Sequence, residues 1–186
     1  MKSKAHFHKH YSVLGYLFSD KAIRSVLSPV FRGKFLAGVW NTGTYDPDLN
    51  LTYWGTGNPV PPADEGASSG DQLYSDSVVA LDADTGAYRW HYQFTPGDNH
   101  DWDAAHVPVL IDLEWQGLQR KVLLTATKNG VMYVLDRRTG EFLTGKPFVE
   151  LNWMSGFDER GRPVPTSLPP DVSVTTGRHE LVSTFL

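Results

Sequence analysis

The segment ALDADTGAYRW at residues 80–90 is the most informative about the fold, because a second copy, VLDRRTGEFLT, follows it at residues 134–144. Each copy consists of a strand-like run, an Asp-x-x-Thr-Gly turn and another strand-like run. In such a turn the Asp side chain accepts hydrogen bonds from nearby backbone N–H groups, and Gly supplies the positive φ of a tight hairpin. The two copies start at residues 80 and 134, and a period of 54 residues predicts propeller blades or a related repeat array. The alternative is two unrelated hairpins that share common turn chemistry.

Short β-type runs continue on both sides of the repeat. Runs rich in β-branched and aromatic residues lie at 51–54, 77–81, 88–92, 107–111, 121–125 and 131–135. With 17 Gly and 12 Pro in 186 residues, the chain turns often, as all-β proteins do. A segment rich in Pro, Gly and Ser at residues 59–70 is expected to form a long surface loop. The sequence therefore predicts an all-β fold.

Composition excludes several classes of protein. A formal net charge of −4 gives no electrostatic argument for binding nucleic acid or an anionic membrane. No apolar run approaches the roughly 20 residues that span a bilayer. The absence of cysteine excludes disulfides, thiolate metal sites and cysteine nucleophiles, and it is compatible with either redox compartment. The Lys-rich start is followed by a short apolar run without a small-residue cleavage site, so we do not predict a signal peptide.

Residues 1–35 differ in character from the rest and are predicted to form a separate leader that is irregular or partly helical. They are basic, lack clear strand alternation and contain one helix-like segment at residues 20–27. His6, His8 and His10 alternate, so in a strand they would share one face and could bind a metal. A solvated His-rich tail is the favoured interpretation. We place the repeat region at residues 36–155 and an irregular tail at residues 156–186.

A cluster of chemically active residues, HDWDAAH at residues 100–106, lies between two strand-like runs. Its two carboxylates and two imidazoles could form the ligand set of a metallohydrolase. In a strand, however, Asp101 and Asp103 would share one face while His100 and His106 share the other, which argues against a common metal. If the protein performs chemistry, this stretch is the candidate site.

Five segments of the chain resemble the quinoprotein dehydrogenases, the methanol and ethanol dehydrogenases that use pyrroloquinoline quinone (PQQ). Residues 80–90 resemble the tryptophan-docking motif of their propellers, in which the closing Trp of a blade packs against a neighbouring blade. The other four, in chain order, are GVWNTGTYDP at 38–47, YWGTGNP at 53–59, TPGDNHDWD at 95–103 and KNGVMYVLDR at 128–137. The resemblance spans about residues 38–153 and implies a partial β-propeller, with two to three blades of an eight-bladed quinoprotein propeller.

The resemblance implies roles for four residues. Trp40 matches the tryptophan that forms the floor under the PQQ ring, where an indole face supplies a rigid planar surface and excludes water. Asn58 matches the amide ligand of Ca²⁺, a hard ion that accepts neutral oxygen ligands. Asp103 matches the general base that takes the hydroxyl proton while a hydride passes from the alcohol carbon to the quinone. Lys128 matches the basic residue that bonds the quinone oxygens. Without the resemblance, Trp40 would be interpreted as a core residue, and Asn58 and Lys128 as turn residues.

The resemblance also implies a metal and a class of reaction. In this family a second Asp two positions after the base accompanies lanthanide use, and that position here is Ala105, so calcium is expected. The implied activity is oxidation of small primary alcohols to aldehydes, with a cytochrome c-type electron acceptor and a periplasmic location.

Several features of the family have no counterpart in this chain. The acidic calcium ligand, a vicinal disulfide and several quinone contacts lie upstream of the matching region in the family, where this chain has its unmatched leader. We therefore expect an open set of blades with unburied apolar faces, poor stability and no activity of its own. One alternative is a noncatalytic propeller-repeat binding module, in which Trp40, Asn58, Asp103 and Lys128 would not converge on one pocket. The other is an inactive truncated gene product.

Overall fold

The computed structural model describes residues 36–39, 41–60, 70–98 and 100–166, and every regular element in these ranges is a β-strand. The first six are β1 (Leu36–Ala37), β2 (Thr44–Asp46), β3 (Leu51–Gly55), β4 (Pro59–Val60), β5 (Ser77–Asp82) and β6 (Tyr88–Gln93). The second six are β7 (Val109–Trp115), β8 (Leu118–Ala126), β9 (Val131–Asp136), β10 (Phe142–Pro147), β11 (Met154–Phe157) and β12 (Pro163–Pro165). The described part of the chain contains no helix long and apolar enough to cross a bilayer.

Two four-stranded antiparallel sheets form the body of the structure. The first has the order β2-β3-β5-β6 and the second the order β7-β8-β9-β10, so the strands of each sheet pair in chain order, with β4 left out of the first sheet. Strands β1 and β4 form one two-stranded ribbon, and β11 and β12 form another. Five of the six predicted runs lie inside strands, whereas the run at 107–111 was placed too early because β7 begins at Val109. The all-β prediction is confirmed, with two complete four-stranded blades.

The repeated turns have the geometry that the sequence predicts. In the first copy, Oδ1 of Asp82 accepts hydrogen bonds from the backbone N–H of Thr85 at 2.9 Å and from its hydroxyl at 2.7 Å. In the second copy, Oδ1 of Asp136 accepts the backbone N–H of Arg138 at 2.9 Å. Gly86 and Gly140 have φ values of 70° and 78°, and each donates its N–H to the carbonyl of the turn Asp at 2.8 Å. The two copies are therefore equivalent hairpins in consecutive blades.

Trp90, the last residue of the first copy, packs on the turn of the second. A Cβ atom added to Gly140 would lie only 2.6 Å from the Trp90 ring, so the indole rests directly on the glycine. The indole is buried and also contacts Tyr53, with ring centroids 5.6 Å apart. This contact is the blade-to-blade docking that the resemblance implies. The second copy has Thr144 at the equivalent position.

One hydrophobic core fills the space between the two sheets. Tyr53 and Phe94 approach it from the first blade, while Leu123, Tyr133 and Leu135 approach it from the second, and all five are almost fully buried. Phe94 and Tyr133 pack with ring centroids 4.7 Å apart. Because burial of apolar surface stabilises the fold by roughly 25 cal/mol per Å², this shared core holds the blades together as one unit.

A buried arginine crosses between the blades on the side of strands β2 and β7. The Nε of Arg137 donates to Oδ2 of Asp46 at 2.5 Å, and its Nη1 donates to the carbonyl of Ile111 at 3.0 Å and to the carboxylate of Asp112. The backbone carbonyl of Arg137 accepts the Tyr53 hydroxyl at 2.8 Å. A buried charge is tolerated because its donors are paired in this way.

The outer face of the second sheet keeps apolar side chains in solvent. Val109 is 59%, Ile111 42% and Met132 39% exposed, and the register of the sheet puts all three on the side away from the shared core. These side chains form an exposed apolar face on the second sheet.

Several predictions fall on residues outside the described ranges. These are the leader with its helix-like segment, the alternating His6, His8 and His10, most of the Pro-rich loop, the end of the tail, and Trp40.

We predict that Gly140→Ala destabilises the chain more than Gly117→Ala does. Both glycines have positive φ, +78° and +79°, which an alanine adopts at a cost of about 1 kcal/mol. At Gly140 the new methyl group would also collide with Trp90, while at Gly117 nothing lies within 4 Å. Overpacking adds about 1–3 kcal/mol, so urea unfolding should show this difference between the two variants. Equal losses of unfolding free energy would show that Trp90 docking does not hold the blades.

Candidate functional site

The connection from β6 to β7 carries the acidic cluster and turns around the side chain of Asp98. Its Oδ1 accepts the backbone N–H of His100 at 2.8 Å, and its Oδ2 accepts the N–H of Trp102 at 2.8 Å. Trp102 is buried and stacks on the His100 ring, with centroids 4.7 Å apart. Residues 100–106 therefore form a loop and not a strand, so the alternation of side chains between two faces that a strand would impose does not apply to them.

Asp103 meets the two other predicted site residues that the structure describes. Its Oδ2 accepts a hydrogen bond from Nζ of Lys128 at 2.5 Å, and its Oδ1 accepts the backbone N–H of Asn58 at 3.0 Å. Asp103 is 7% exposed, so this carboxylate is held in place by two donors in a sheltered position. Lys128 reaches it from the β8–β9 turn, and Asn58 from the segment between β3 and β4.

The meeting follows from the strand directions. Because β3 and β6 both pair antiparallel with β5, they run the same way and end on the same side of the first sheet. The β8–β9 turn of the second sheet lies at that side as well, since Lys128 contacts Asp103 there. The loop is fastened further by the N–H of Ala104, which donates to the carbonyl of Thr56 at 3.0 Å. A Cβ on Gly55 would lie 2.3 Å from the Ala104 carbonyl oxygen, which explains why a glycine stands before Thr56.

Asp101 presents a second carboxylate to the same lysine. Nζ of Lys128 lies 3.9 Å from Oδ2 of Asp101 and 3.4 Å from its carbonyl oxygen. Unlike Asp103, the Asp101 side chain is 69% exposed, and its φ is 62°. The ammonium group of Lys128 therefore lies within 4 Å of two carboxylates, the buried one of Asp103 and the exposed one of Asp101.

The metallohydrolase interpretation of the cluster is wrong. Among the described residues, no three His, Cys, Asp or Glu side chains are placed to hold a metal ion together. His106 is half-buried, and burial, followed by the charge of Lys128, lowers the pKa of its imidazole, so it is neutral near pH 7.

Asp76 and Asp98 form a buried acid pair beside the site that sequence reasoning did not identify. Asp76 is fully buried and neither of its carboxylate oxygens accepts a hydrogen bond from the described residues; the adjacent Ser75 hydroxyl donates instead to the carbonyl of Gln72 at 2.8 Å. Burial, followed by the charge of Asp98, raises the pKa of Asp76 to about 9. Burial also raises the pKa of Asp98, but two backbone N–H groups stabilise its ionised form. We therefore place the proton of the pair on Asp76.

A comparison with known protein families identifies the family of this chain. Residues 32–152 match the family model described as PQQ: glucose/ethanol/alcohol dehydrogenase, beta-propeller domain. The chain belongs to this family. The resemblance seen in the sequence is confirmed, and the two four-stranded sheets are blades of its propeller domain. Trp40, Asn58, Asp103 and Lys128 all lie inside the matched range.

Individual relatives show the same family and a limited coverage. The chain is 48% identical over 128 residues to the quinohemoprotein alcohol dehydrogenase of Comamonas testosteroni, which covers 68% of this chain and 18% of the relative. It is 50% identical over 97 residues to the 1-butanol dehydrogenase (cytochrome c) of Thauera butanivorans, covering 52% and 14%. The solved structure of a europium-containing methanol dehydrogenase matches with a TM-score of 0.66 and 40% identity, covering 70% and 23%. The chain thus spans less than a quarter of the length of these relatives.

We predict that Asp76 makes the stability of the chain depend on pH. Because the native pKa of about 9 lies above the value of 3.8 for the free side chain, the native state holds a proton that the unfolded state releases between these limits. Stability should therefore fall as pH rises from 5 to 8, by up to about 1.4 kcal/mol per unit. Asp76→Asn should flatten this slope in urea unfolding measured at several pH values.

The control for this experiment is Asp84→Asn, which changes an exposed carboxylate in the β5–β6 turn. It should leave the slope as it is in the unmodified chain. An unchanged slope in Asp76→Asn would show that Asp76 is already ionised in the native state.

Proposed function

We propose that this chain is part of a PQQ-dependent alcohol dehydrogenase that oxidises small primary alcohols to aldehydes. The observation that carries the proposal is the convergence of Asn58, Asp103 and Lys128 at one end of the two blades, with Asp103 contacting both of the others. A noncatalytic binding module would have no reason to bring these three residues together. Trp40, the proposed floor of the cofactor site, belongs to the same proposal.

The residues present fit part of a site for a hard metal ion and a quinone. The Asn58 amide oxygen and the carboxylate oxygens of the loop are ligand types that such ions prefer, and the Asn58 backbone is hydrogen-bonded to Asp103. Among the residues that the structure describes, no three His, Cys, Asp or Glu side chains are placed to hold a metal ion together, so these residues form at most part of a ligand set. We propose that Asn58 holds the metal and that Lys128 bonds the quinone oxygens.

The chemistry that we assign to the chain is proton transfer. PQQ, when bound, supplies the acceptor for the hydride of the alcohol carbon. Asp103 is proposed to take the hydroxyl proton of the alcohol, because it is sheltered and its charge is compensated by Lys128 at 2.5 Å. Lys128 would then stabilise negative charge that develops on the oxygens next to it. A periplasmic location and a cytochrome c-type acceptor are part of the proposal, and the name of the Thauera butanivorans relative supports the acceptor.

One observation favours a second assignment of the acids. Lys128 contacts Asp103 and also lies 3.9 Å from Asp101, so either carboxylate is positioned to act as the base. With Asp103 as base, the position two residues later is Ala105, and calcium is the proposed metal. With Asp101 as base, that position is Asp103 itself, which would then be the additional metal ligand. The second assignment predicts a lanthanide ion, and the europium-containing relative makes this comparison necessary.

We predict that the 186-residue chain binds PQQ in an absorbance titration and that added Ca²⁺ or La³⁺ strengthens binding. Asn58→Ala should remove the metal-dependent part, because the amide oxygen is the proposed ligand, and weaken binding about tenfold or more, equal to roughly 1.4 kcal/mol. Asn152→Ala serves as the control outside the site and should bind like the unmodified chain. A PQQ affinity that changes neither with added metal ion nor in Asn58→Ala would contradict the proposal.

Terbium luminescence distinguishes the two assignments, because buried Trp102 next to the acids can sensitise a bound Tb³⁺ ion. If Asp103 is the base, Ca²⁺ should compete with Tb³⁺ and Asp101→Asn should leave Tb³⁺ affinity nearly unchanged. If Asp103 is the additional ligand, Ca²⁺ should compete poorly and Asp103→Asn should lower Tb³⁺ affinity about tenfold or more. Luminescence that is unaffected by Asn58→Ala in either case would place the ion elsewhere.

A further inference from the structure

The shape of the acidic loop depends on a residue that is itself outside the proposed chemistry. Both oxygens of Asp98 are used by backbone donors, the N–H groups of His100 and Trp102, each at 2.8 Å. Asp101 lies between these donors and has φ 62°, in a region that residues with a side chain rarely adopt. Such a conformation persists only where the surroundings hold it. The two hydrogen bonds of Asp98 provide that restraint.

The restrained turn determines where the two neighbouring carboxylates point. Lys128 lies 2.5 Å from Oδ2 of Asp103 and 3.9 Å from Oδ2 of Asp101, one on each side of Trp102. Trp102 is buried and packs against Trp153, with centroids 4.9 Å apart. If the hydrogen bond to Trp102 were lost, the residues before and after it would no longer be held at these distances.

The backbone of Asp76 is hydrogen-bonded to two segments that lead into the site. Its backbone N–H donates to the carbonyl of Gly57 at 2.9 Å, next to Asn58, and its carbonyl accepts the N–H of Phe94 at 2.7 Å, at the end of β6. Its side chain is fully buried, and Asp98, Asp103 and Asp101 are the charged groups that act on its ionisation. A neutral Asp76 leaves Asp98 as the single charge of the pair.

We propose that Asp98, supported by Asp76, is the positioning residue of this site, and that its two backbone hydrogen bonds bring Asp101 and Asp103 to Lys128. Asp98 acts through the backbone of His100 and Trp102 and not on the substrate. This inference rests on the proposed function in one respect, namely that Asp101 and Asp103 are reactive groups. The geometric part can be tested without PQQ.

The test follows the Lys128 ammonium group in the full 186-residue chain, by ¹³C NMR of reductively dimethylated lysines. Lys128→Arg identifies its signal, and Asp103→Asn shows where that signal lies without the carboxylate partner. In Asp98→Asn an amide NH₂ replaces one acceptor and faces a backbone donor. We expect the Lys128 signal to move towards its position in Asp103→Asn. Hydrogen exchange of residues 98–103 should accelerate about 10- to 100-fold, as for the loss of a charged hydrogen bond.

Asp82→Asn is the matched control, because Asp82 accepts the backbone N–H groups of Asp84 and Thr85 in a turn of the first blade. It should accelerate exchange in that turn only and leave the Lys128 signal in place. Exchange in residues 121–136, which cover most of β8 and β9, reports whether a variant keeps the fold. An intact fold with an unmoved Lys128 signal in Asp98→Asn would overturn the proposal.

Asp76→Asn tests the second member of the pair and keeps the proposal testable if Asp98→Asn does not fold. The amide side chain stays uncharged at every pH, so exchange of residues 98–103 at pH 8 should be no faster than in the unmodified chain and the Lys128 signal should stay in place. Faster exchange of this loop in Asp76→Asn would overturn the supporting role of Asp76. A chain that shows these couplings but fails to bind PQQ would refute the proposed function while leaving the positioning role intact.

Discussion

The contact between the Trp90 indole and the Gly140 turn fixes one blade against the next, and the remaining geometry depends on it. The indole lies so close to Gly140 that no side chain fits between them. The hydrophobic core in which Phe94 and Tyr133 pack together lies between the same two blades. The site is built across the same boundary, since Asp103 comes from a loop of the first blade and Lys128 from a turn of the second. A small rotation between the blades would therefore separate Asp103 from Lys128.

Charge is distributed differently at two places on this boundary. Beside β2 and β7, Arg137 is matched by the carboxylates of Asp46 and Asp112, so its buried charge is compensated. At the site, the described residues place Lys128 as the cation among Asp98, Asp101 and Asp103, with Asp76 kept neutral by burial. A surplus of negative charge favours the binding of a further cation. This surplus supports the metal ion that we propose for this end of the blades.

The loop between β6 and β7 shows how a structural acid and reactive acids can be confused in a sequence. The run from Asp98 to Asp103 contains three aspartates close together, and their roles can be distinguished only by the hydrogen bonds that each side chain accepts. Asp98 is saturated by backbone donors, Asp103 by Lys128 and Asn58, and Asp101 stays open to solvent. A signal for Asp98 was present, because an Asp two residues before a backbone donor commonly forms a local turn. No comparable signal existed for Asp76, whose surroundings are assembled from distant segments.

The local structure and the family of the chain could be predicted from its amino-acid sequence. The repeated Asp-x-x-Thr-Gly hairpins, the alternating strands and the motifs around Asn58, Asp103 and Lys128 depend on residues close together in the chain, so their pattern can be read directly. The packing of the two blades, in contrast, determines that Lys128 reaches both Asp101 and Asp103 and that the side-chain oxygens of buried Asp76 have no hydrogen-bond partner. It also determines that no three His, Cys, Asp or Glu side chains of the described residues are placed to share a metal ion. These facts depend on how two blades pack. Burial and charge compensation arise between segments far apart in sequence, and no local pattern encodes them.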